Sequence, residues 1–207
     1  SKKNLVKAIL KGKFLDDDLY IKVDNKKTDS FPSKNILLKM SNSAVLAKIS
    51  LISKNKLNGK ILLKKGKSKF TSLFSYSDNK IIFNNSNLRN TFLDGKMTGQ
   101  IKLLPYFNFD LDLNLNSINF STLSTVFFAL NENDQKKLFK INSKINGKLD
   151  LIVNKIYSKH SLIKSIESRL KFTNGSLFVE QFLINLGKLG AADILGTLSN
   201  DNNFTNF

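Results

Sequence analysis

Residues 107–116 read Phe-Asn-Phe-Asp-Leu-Asp-Leu-Asn-Leu-Asn, and this stretch decides the fold class. Apolar and polar residues alternate in it without a break. Because successive side chains of a β-strand point to opposite faces of a sheet, the alternation predicts a strand with one buried and one solvated face. The apolar side consists of Phe107, Phe109, Leu111, Leu113 and Leu115, and the polar side carries only Asn and Asp.

The same alternation recurs on both sides of this stretch. Upstream, Met97, Ile101 and Leu103 alternate with polar residues, and Pro105 marks a turn or an edge position before the next strand. Downstream, the alternating apolar residues are Ile141, Ile145, Leu149, Leu151 and Val153. Weaker versions cover residues 5–14, 19–23, 36–40, 45–52, 61–63, 70–76, 81–83, 168–172, 177–186 and 194–198.

These patterns predict a mainly β fold. We expect a long, curved antiparallel sheet that forms an elongated groove or half-barrel, in a single segment over residues 1–207. One stretch departs from the period of two. Apolar residues at helical spacing predict a short helical segment near residues 120–138, with Ser121 as its N-cap.

The apolar side of residues 107–116 has to be covered. Burial of each large apolar side chain contributes about 1.5–3 kcal/mol, so five such side chains represent on the order of 10 kcal/mol. That is comparable to the whole stability of a domain. This side must therefore meet a second sheet, a helix or an apolar ligand.

A short glycine motif recurs at irregular intervals. An apolar residue, Asn or Asp, and then glycine precede a strand at Gly59, Gly95 and Gly147, and a related form contains Gly175. Glycine at such a place supplies either a turn with positive φ or room for close approach of a neighbouring strand. The unequal spacing excludes a strict solenoid repeat and predicts successive strands joined by variable loops.

The charge balance and the absence of cysteine limit the function classes. The chain has 33 Lys+Arg against 16 Asp+Glu, a net charge of +17, but only two of its cations are arginines. Readers of nucleic acid rely on arginine for bidentate contacts, so we interpret the lysines mainly as solvated strand faces. The absence of cysteine excludes disulfides, thiolate nucleophiles and cysteine-based zinc sites.

No catalytic or metal-binding constellation is visible, so we predict a protein that is not an enzyme and has no cofactor. The single histidine, His160, lies in a polar loop with no nucleophile or carboxylate placed to form a triad. The run Asp16-Asp17-Asp18 favours a hairpin turn over a cation site, because consecutive carboxylates of a strand diverge and no calcium-loop spacing surrounds them.

The C-terminal third resembles the C-terminal region of AsmA-like proteins. The resemblance rests on the glycine-led strand at residues 147–153, the strand at 163–172, the Asn174-Gly175 motif and the glycine-marked stretch 182–198. Residues 93–118 also resemble the family pattern. Together, residues 93–120 and 139–199 carry the strongest resemblance, about half of the chain.

The resemblance implies a non-enzymatic bacterial protein whose periplasmic β-groove binds and conducts phospholipid between the inner and outer membranes during outer-membrane biogenesis. It implies anchoring to the inner membrane by a segment outside this fragment. The expected partners are phospholipid acyl chains, an anionic membrane surface and outer-membrane assembly proteins, with no nucleic acid. The expected groove lining is Met97, Ile101, Leu103, Phe107, Phe109, Leu111, Leu113, Leu115, Ile145, Leu149, Leu151, Val153, Leu170, Phe172, Leu177 and Val179.

Three alternatives stay open at this point. A structural or adhesive β-domain whose apolar face is simply its core fits the same alternation. An outer-membrane β-barrel fits strands of about ten residues, although the chain has no Trp and only four Tyr for two aromatic girdles. A β-module that stacks nucleobases on its phenylalanines is disfavoured because most of them belong to the predicted internal face.

Overall fold

The computed structural model describes residues 6–14, 17–27, 32–41, 44–51, 57–132, 141–159, 162–201 and 204–206. Over these ranges the chain folds into a sheet of sixteen strands with one short α-helix. The expected fold class, a mainly β chain with one long curved sheet and a short helix, is confirmed. The sheet is open, because no pairing among the described strands joins its first strand to its last.

The first nine strands follow one another in space as in sequence, and each is antiparallel to the next. They are β1 (Val6–Phe14), β2 (Asp17–Lys27), β3 (Pro32–Met40), β4 (Val45–Leu51), β5 (Leu57–Lys65), β6 (Ser68–Ser77), β7 (Lys80–Arg89), β8 (Leu93–Lys102) and β9 (Asn108–Asn119). Helix α1 (Phe120–Phe128) follows β9 directly.

The second part of the chain extends the sheet beyond β9. Its elements are β10 (Gly147–Val153), β11 (Ile156–Tyr157), β12 (Ser165–Thr173), β13 (Ser176–Asn185), a 3-10 turn (Gly187–Leu189), β14 (Ala191–Asp193), β15 (Gly196–Asp201) and β16 (Phe204–Asn206). The order in the sheet is β9, β10, β12, β13, β15 and β16, while β11 pairs with β9 and β14 pairs with β13.

The expectation of an antiparallel sheet is wrong at one place, because β10 and β11 run parallel to β9. The chain between β9 and β10 contains α1 and returns to the beginning of β9, so that Leu149 lies beside Leu111 in the same direction. Parallel neighbours require such a long crossover, whereas antiparallel neighbours need only a hairpin.

The register places apolar residues on one face across almost the whole sheet. Starting in β1 and ending in β14, each member of the following row is the cross-strand partner of the next: Leu10, Ile21, Leu38, Ala47, Leu63, Phe70, Leu88, Gly95, Leu115, Val153, Ile166, Ile184 and Ala192. We call the side of the sheet that carries this row the apolar face. The opposite side, the polar face, carries mostly Lys, Asn and Asp.

The sheet is strongly curved with the apolar face inside. Phe14 lies at the end of β1, and Phe107 lies just before β9, eight strand positions away. At about 4.8 Å per position a flat sheet would separate these strands by about 38 Å. The two ring centroids are 5.6 Å apart. One end of the sheet therefore curls until β1 meets the entrance of β9.

The recurring glycine motif serves the two purposes that the sequence allows. A Cβ built at Gly59 would lie 2.8 Å from the ring of Phe74, and one at Gly147 would lie 2.6 Å from the ring of Phe109. These glycines let a neighbouring aromatic side chain lie across the strand. Gly175, by contrast, belongs to the turn between β12 and β13 and has φ 87°.

Three boundaries differ from the sequence prediction. The helix N-cap is Asn119 instead of Ser121, because the Asn119 side chain accepts a hydrogen bond from the backbone N–H of Thr122 at 3.0 Å. The helix ends at Phe128, and the predicted helical residues 133–138 lie outside the described residues. Strand β10 begins only at Gly147, because the chain turns at Asn142. The side-chain Oδ1 of Asn142 accepts a hydrogen bond from the backbone N–H of Lys144.

Candidate functional site

The apolar face is packed by its own side chains in two places. The first, the aromatic cluster, consists of the buried residues Phe70, Phe74 and Phe83 on β6 and β7. The rings of Phe70 and Phe83 meet edge to face with centroids 6.0 Å apart. Aliphatic side chains from β4, β5, β8 and β9 pack around the three rings. This part of the face is therefore a protein core.

The second packed place lies near the carboxyl end of β9. It consists of Leu115, Val153, Ile156 and Ile166, and we call it the sealed end. Leu115 is 2% exposed and Val153 is 1% exposed. Side chains from the same face, among them Phe182 and Ile163, close over it. Ile156 and Ile166 are 7% and 6% exposed, so these four side chains form a protein core.

A third region of the apolar face belongs to neither cluster. We call it the open stretch, and its six members are half-buried: Phe109, Leu149, Leu170, Phe172, Leu177 and Val179. They are contiguous, because β10 and β12 align Leu149 with Leu170, and β12 and β13 align Leu170 with Val179. The open stretch is a continuous apolar surface that the described protein covers only in part.

The register brings together most of the side chains expected to line a groove. The residues that lie in strands on the apolar face are Met97, Ile101, Phe109, Leu111, Leu113, Leu115, Leu149, Leu151, Val153, Leu170, Phe172, Leu177 and Val179. Leu103, Phe107 and Ile145 lie in the connections next to β8, β9 and β10 instead. Leu115 and Val153 are enclosed in the sealed end.

The alternation of residues does not identify the aromatic cluster as part of the same face. Phe70 and Phe74 alternate with polar residues in a strand that was predicted, and this alternation was the available signal. Alternation alone does not give the register of the first seven strands, and the register decides the face on which a side chain lies. The pairing of Phe70 with Leu88 places the aromatic cluster on the apolar face.

Two of the three buried serines that the structure describes on the apolar face differ in hydrogen bonding. Ser86 lies where the pairing of β7 and β8 is irregular, and its hydroxyl bonds to both the N–H and the carbonyl oxygen of Met97. Ser168, beside the sealed end, has a buried hydroxyl for which the described part of the chain provides no partner. The first serine repairs a gap in the strand pairing, whereas the second carries an uncompensated polar atom.

A cleft with aromatic and polar walls opens where the sheet curls onto itself. It has a volume of about 820 Å³ and is lined at one side by Phe14 and Phe107 and at the other by the turn before β10. Ring contacts lead from this cleft to the open stretch, since Phe107 lies 6.2 Å from Phe109, and Phe109 lies 5.4 Å from Phe172. The cleft is therefore the entrance to the half-buried part of the apolar face.

Helix α1 lies at the rim of the sheet, where it touches the ends of β9 and β11. It has no buried residue, and Phe128 is 75% exposed. Nearby, the ammonium group of Lys155 lies 4.8 Å from the ring centre of Tyr157. The helix thus presents apolar side chains to solvent beside a cation and does not cover the sealed end.

Metal-ligating side chains are not gathered into a site in the part of the chain that the structure describes. Asp17 is buried at the start of β2 and Asp18 is exposed, so the two carboxylates point to opposite faces. Asp16 and His160 lie outside the described residues. Over the described ranges, no helix has the length and hydrophobicity needed to cross a bilayer.

Comparison with known proteins gives no relative. No family model, curated protein or solved structure matches the chain.

Proposed function

We propose that this chain is a non-enzymatic lipid-binding β-groove in which the open stretch contacts the acyl chains of a phospholipid. The observation that carries the proposal is that six contiguous apolar side chains remain half-buried although the same face is tightly packed on two sides of them. A contiguous apolar surface that the protein leaves partly uncovered is a candidate binding site. Acyl chains suit it because they need no hydrogen-bonding partner.

The wider biological role follows the AsmA-like resemblance. In this proposal the chain is a periplasmic segment of an inner-membrane-anchored bacterial protein and conducts phospholipid between the two membranes in outer-membrane biogenesis. Contact with an anionic membrane surface is supported by the net charge of +17 and by the exposed apolar side chains of α1. Outer-membrane assembly proteins are proposed as further partners.

Native mass spectrometry of the chain, expressed in bacteria and purified without detergent, tests lipid binding. The informative variant is Leu149→Asp with Val179→Asp, which places two carboxylates in the open stretch. The matched control is Ile152→Asp with Phe178→Asp, because these side chains lie in the same strands, β10 and β13, but are exposed on the polar face at 42% and 39%. We expect co-purified phospholipid on the unmodified chain and the control, and none on the open-stretch variant.

A structural β-domain with a closed core is the second candidate, and the sealed end favours it. There the apolar face is covered by protein alone, as in an ordinary core. A lipid-free mass for a stably folded chain, unchanged after incubation with phospholipid vesicles, would establish this second candidate and exclude the groove.

A further inference from the structure

One hydroxyl group on the apolar face has no hydrogen-bond partner among the described residues. It belongs to Ser168 on β12, which is 6% exposed and whose Oγ atom is buried. A buried hydroxyl that makes no hydrogen bond lowers the stability of a fold. Such groups are exceptions in folded proteins, and each of them calls for an explanation.

Ser168 lies between the open stretch and the sealed end. Its neighbours along β12 on the same face are Leu170, which belongs to the open stretch, and Ile166, which belongs to the sealed end. Its cross-strand partners are Leu151 on β10 and Phe182 on β13. All four neighbours are apolar, so the hydroxyl group is a single polar point at the inner end of the open stretch.

The pairing of β12 with β13 is irregular at this place. The register shifts between Arg169 and Leu170, so that Val179 and Phe182 both lie on the apolar face although they are three residues apart. Such a bulge changes the direction of a side chain, and bulges are frequent beside binding sites. Phe182 packs against the sealed end but is only half-buried, so its ring has a free side toward which it can turn.

The distance from the entrance cleft to Ser168 fits one extended acyl chain. Phe107 lines the cleft, and Leu113 lies level with Ser168, because both Leu113 and Ser168 pair with Leu151. The strand from Phe107 to Leu113 covers about 20 Å at about 3.3 Å per residue. Since an extended backbone advances about 3.5 Å over three bonds, a chain of about sixteen carbon atoms covers the same distance.

We propose that Ser168 binds a hydroxyl group at the far end of an acyl chain that lies on the open stretch. The inference rests on the proposed lipid-binding function and narrows its ligand from acyl chains in general to chains that carry a terminal hydroxyl. A hydroxyl group both donates and accepts a hydrogen bond, so it matches the Ser168 hydroxyl. A charged group does not suit this position, because the four apolar neighbours offer it no counter-ion. The chain reaches Ser168 when the ring of Phe182 turns aside.

Competition measured by native mass spectrometry tests this inference. The probes are hexadecanoic acid, 16-hydroxyhexadecanoic acid and 2-hydroxyhexadecanoic acid, which carries its hydroxyl group beside the carboxylate. Each hydroxy acid competes in turn with an equal amount of hexadecanoic acid, and the ratio of the two bound forms is measured. We expect the unmodified chain to prefer 16-hydroxyhexadecanoic acid over hexadecanoic acid and to show no such preference for 2-hydroxyhexadecanoic acid.

Replacement of Ser168 should remove the preference. In Ser168→Ala the terminal hydroxyl of the probe meets only apolar side chains, so we expect the ratio of bound 16-hydroxyhexadecanoic acid to hexadecanoic acid to fall about tenfold, the factor that corresponds to about 1.4 kcal/mol. The variant should keep its fold, because it loses only a hydroxyl that has no partner in the described part of the chain. Ser165→Ala is the matched control, since Ser165 lies in the same strand on the polar face, and its ratio should equal that of the unmodified chain.

The remaining outcomes separate this inference from the function on which it rests. An unchanged ratio in Ser168→Ala, or an equal preference for both hydroxy acids, would overturn the role of Ser168 and leave the lipid groove intact. A preference of the unmodified chain for hexadecanoic acid would have the same meaning. If none of the three acids binds, the inference is wrong, and the phospholipid that co-purifies with the unmodified chain decides separately whether the groove stands.

Discussion

Along β9 the same face of a single strand passes through two environments. Leu115, in the sealed end, is buried among Val153, Ile156 and Ile166, whereas Phe109, six residues earlier, belongs to the half-buried open stretch. Both side chains come from the same uninterrupted alternation of apolar and polar residues. The comparison shows that alternation determines which side chains share a face, and that the surroundings of the face decide whether they form a core or a surface for a ligand.

Truncation of a side chain should distinguish the two environments most clearly. We expect Leu115→Ala to lower the free energy of unfolding by about 2–5 kcal/mol, because it leaves a cavity in the sealed end. Leu149→Ala, in the open stretch, should cost about 1 kcal/mol, since its side chain is only half-buried. Chemical denaturation of both variants in the absence of lipid measures the difference. Equal losses would remove the distinction between sealed end and open stretch.

The glycines extend the comparison to the backbone. Gly59→Ala should destabilise the fold by about 1–3 kcal/mol, because the added methyl group would meet the backbone carbonyl oxygen of Ser50 and the ring of Phe74 in the aromatic cluster. Gly12→Ala is the control, since a Cβ there meets no atom within 4 Å. We expect this control to be neutral or to stabilise by up to about 1 kcal/mol. Thermal unfolding measures both variants. Equal shifts of the unfolding temperature would contradict the close contact at Gly59.

Ser86 and Ser168 sharpen the contrast within the packed parts of the face. Ser86→Ala should cost about 1–3 kcal/mol, because it leaves the N–H and the carbonyl oxygen of Met97 without their side-chain partner. Ser168→Ala should be neutral or stabilising, because it removes a buried hydroxyl that has no partner among the described residues. Urea denaturation measures both losses. A larger loss of stability for Ser168→Ala than for Ser86→Ala would contradict the difference in hydrogen bonding.

The most local effect is expected at the entrance to the open stretch. Phe14→Ala removes the edge-to-face contact with Phe107 and should cost about 0.5–1.5 kcal/mol beyond the lost burial. The loss should be local. We expect faster amide hydrogen exchange in β1 and β2 and unchanged exchange in β12 and β13. Faster exchange spread evenly over the sheet would show that this contact does not hold the curled end.

Much of the fold was accessible from the alternation of residues, and the reasons for the exceptions are physical. The strand at residues 107–116, the helix after residue 120 and the turn at Asn174-Gly175 all depend on local patterns, and all three occur. The parallel pairing of β9 with β10 depends on where the crossover ends, which no local pattern encodes. The N-cap was misplaced by two residues because Asn119 and Ser121 are both capable of capping.

The candidate site was accessible only in part. Alternation selected Leu149 and Val179 correctly as members of the apolar face, and it equally selected Leu115 and Val153. It had no means of separating the half-buried pair from the buried pair, because burial depends on side chains of other strands, such as Phe182 over the sealed end. The entrance cleft depends on the contact of Phe14 with Phe107, which are far apart in the sequence.

Photo-crosslinking to phospholipid tests the central claim most directly. A photoreactive amino acid is placed singly at residue 149 or 179 in the open stretch, and at residue 152 or 178 on the polar face as controls. After irradiation with phospholipid vesicles, the account predicts lipid adducts at residues 149 and 179 and none at residues 152 and 178. Adducts at all four positions, or at none of them, would contradict a lipid-binding surface confined to the open stretch.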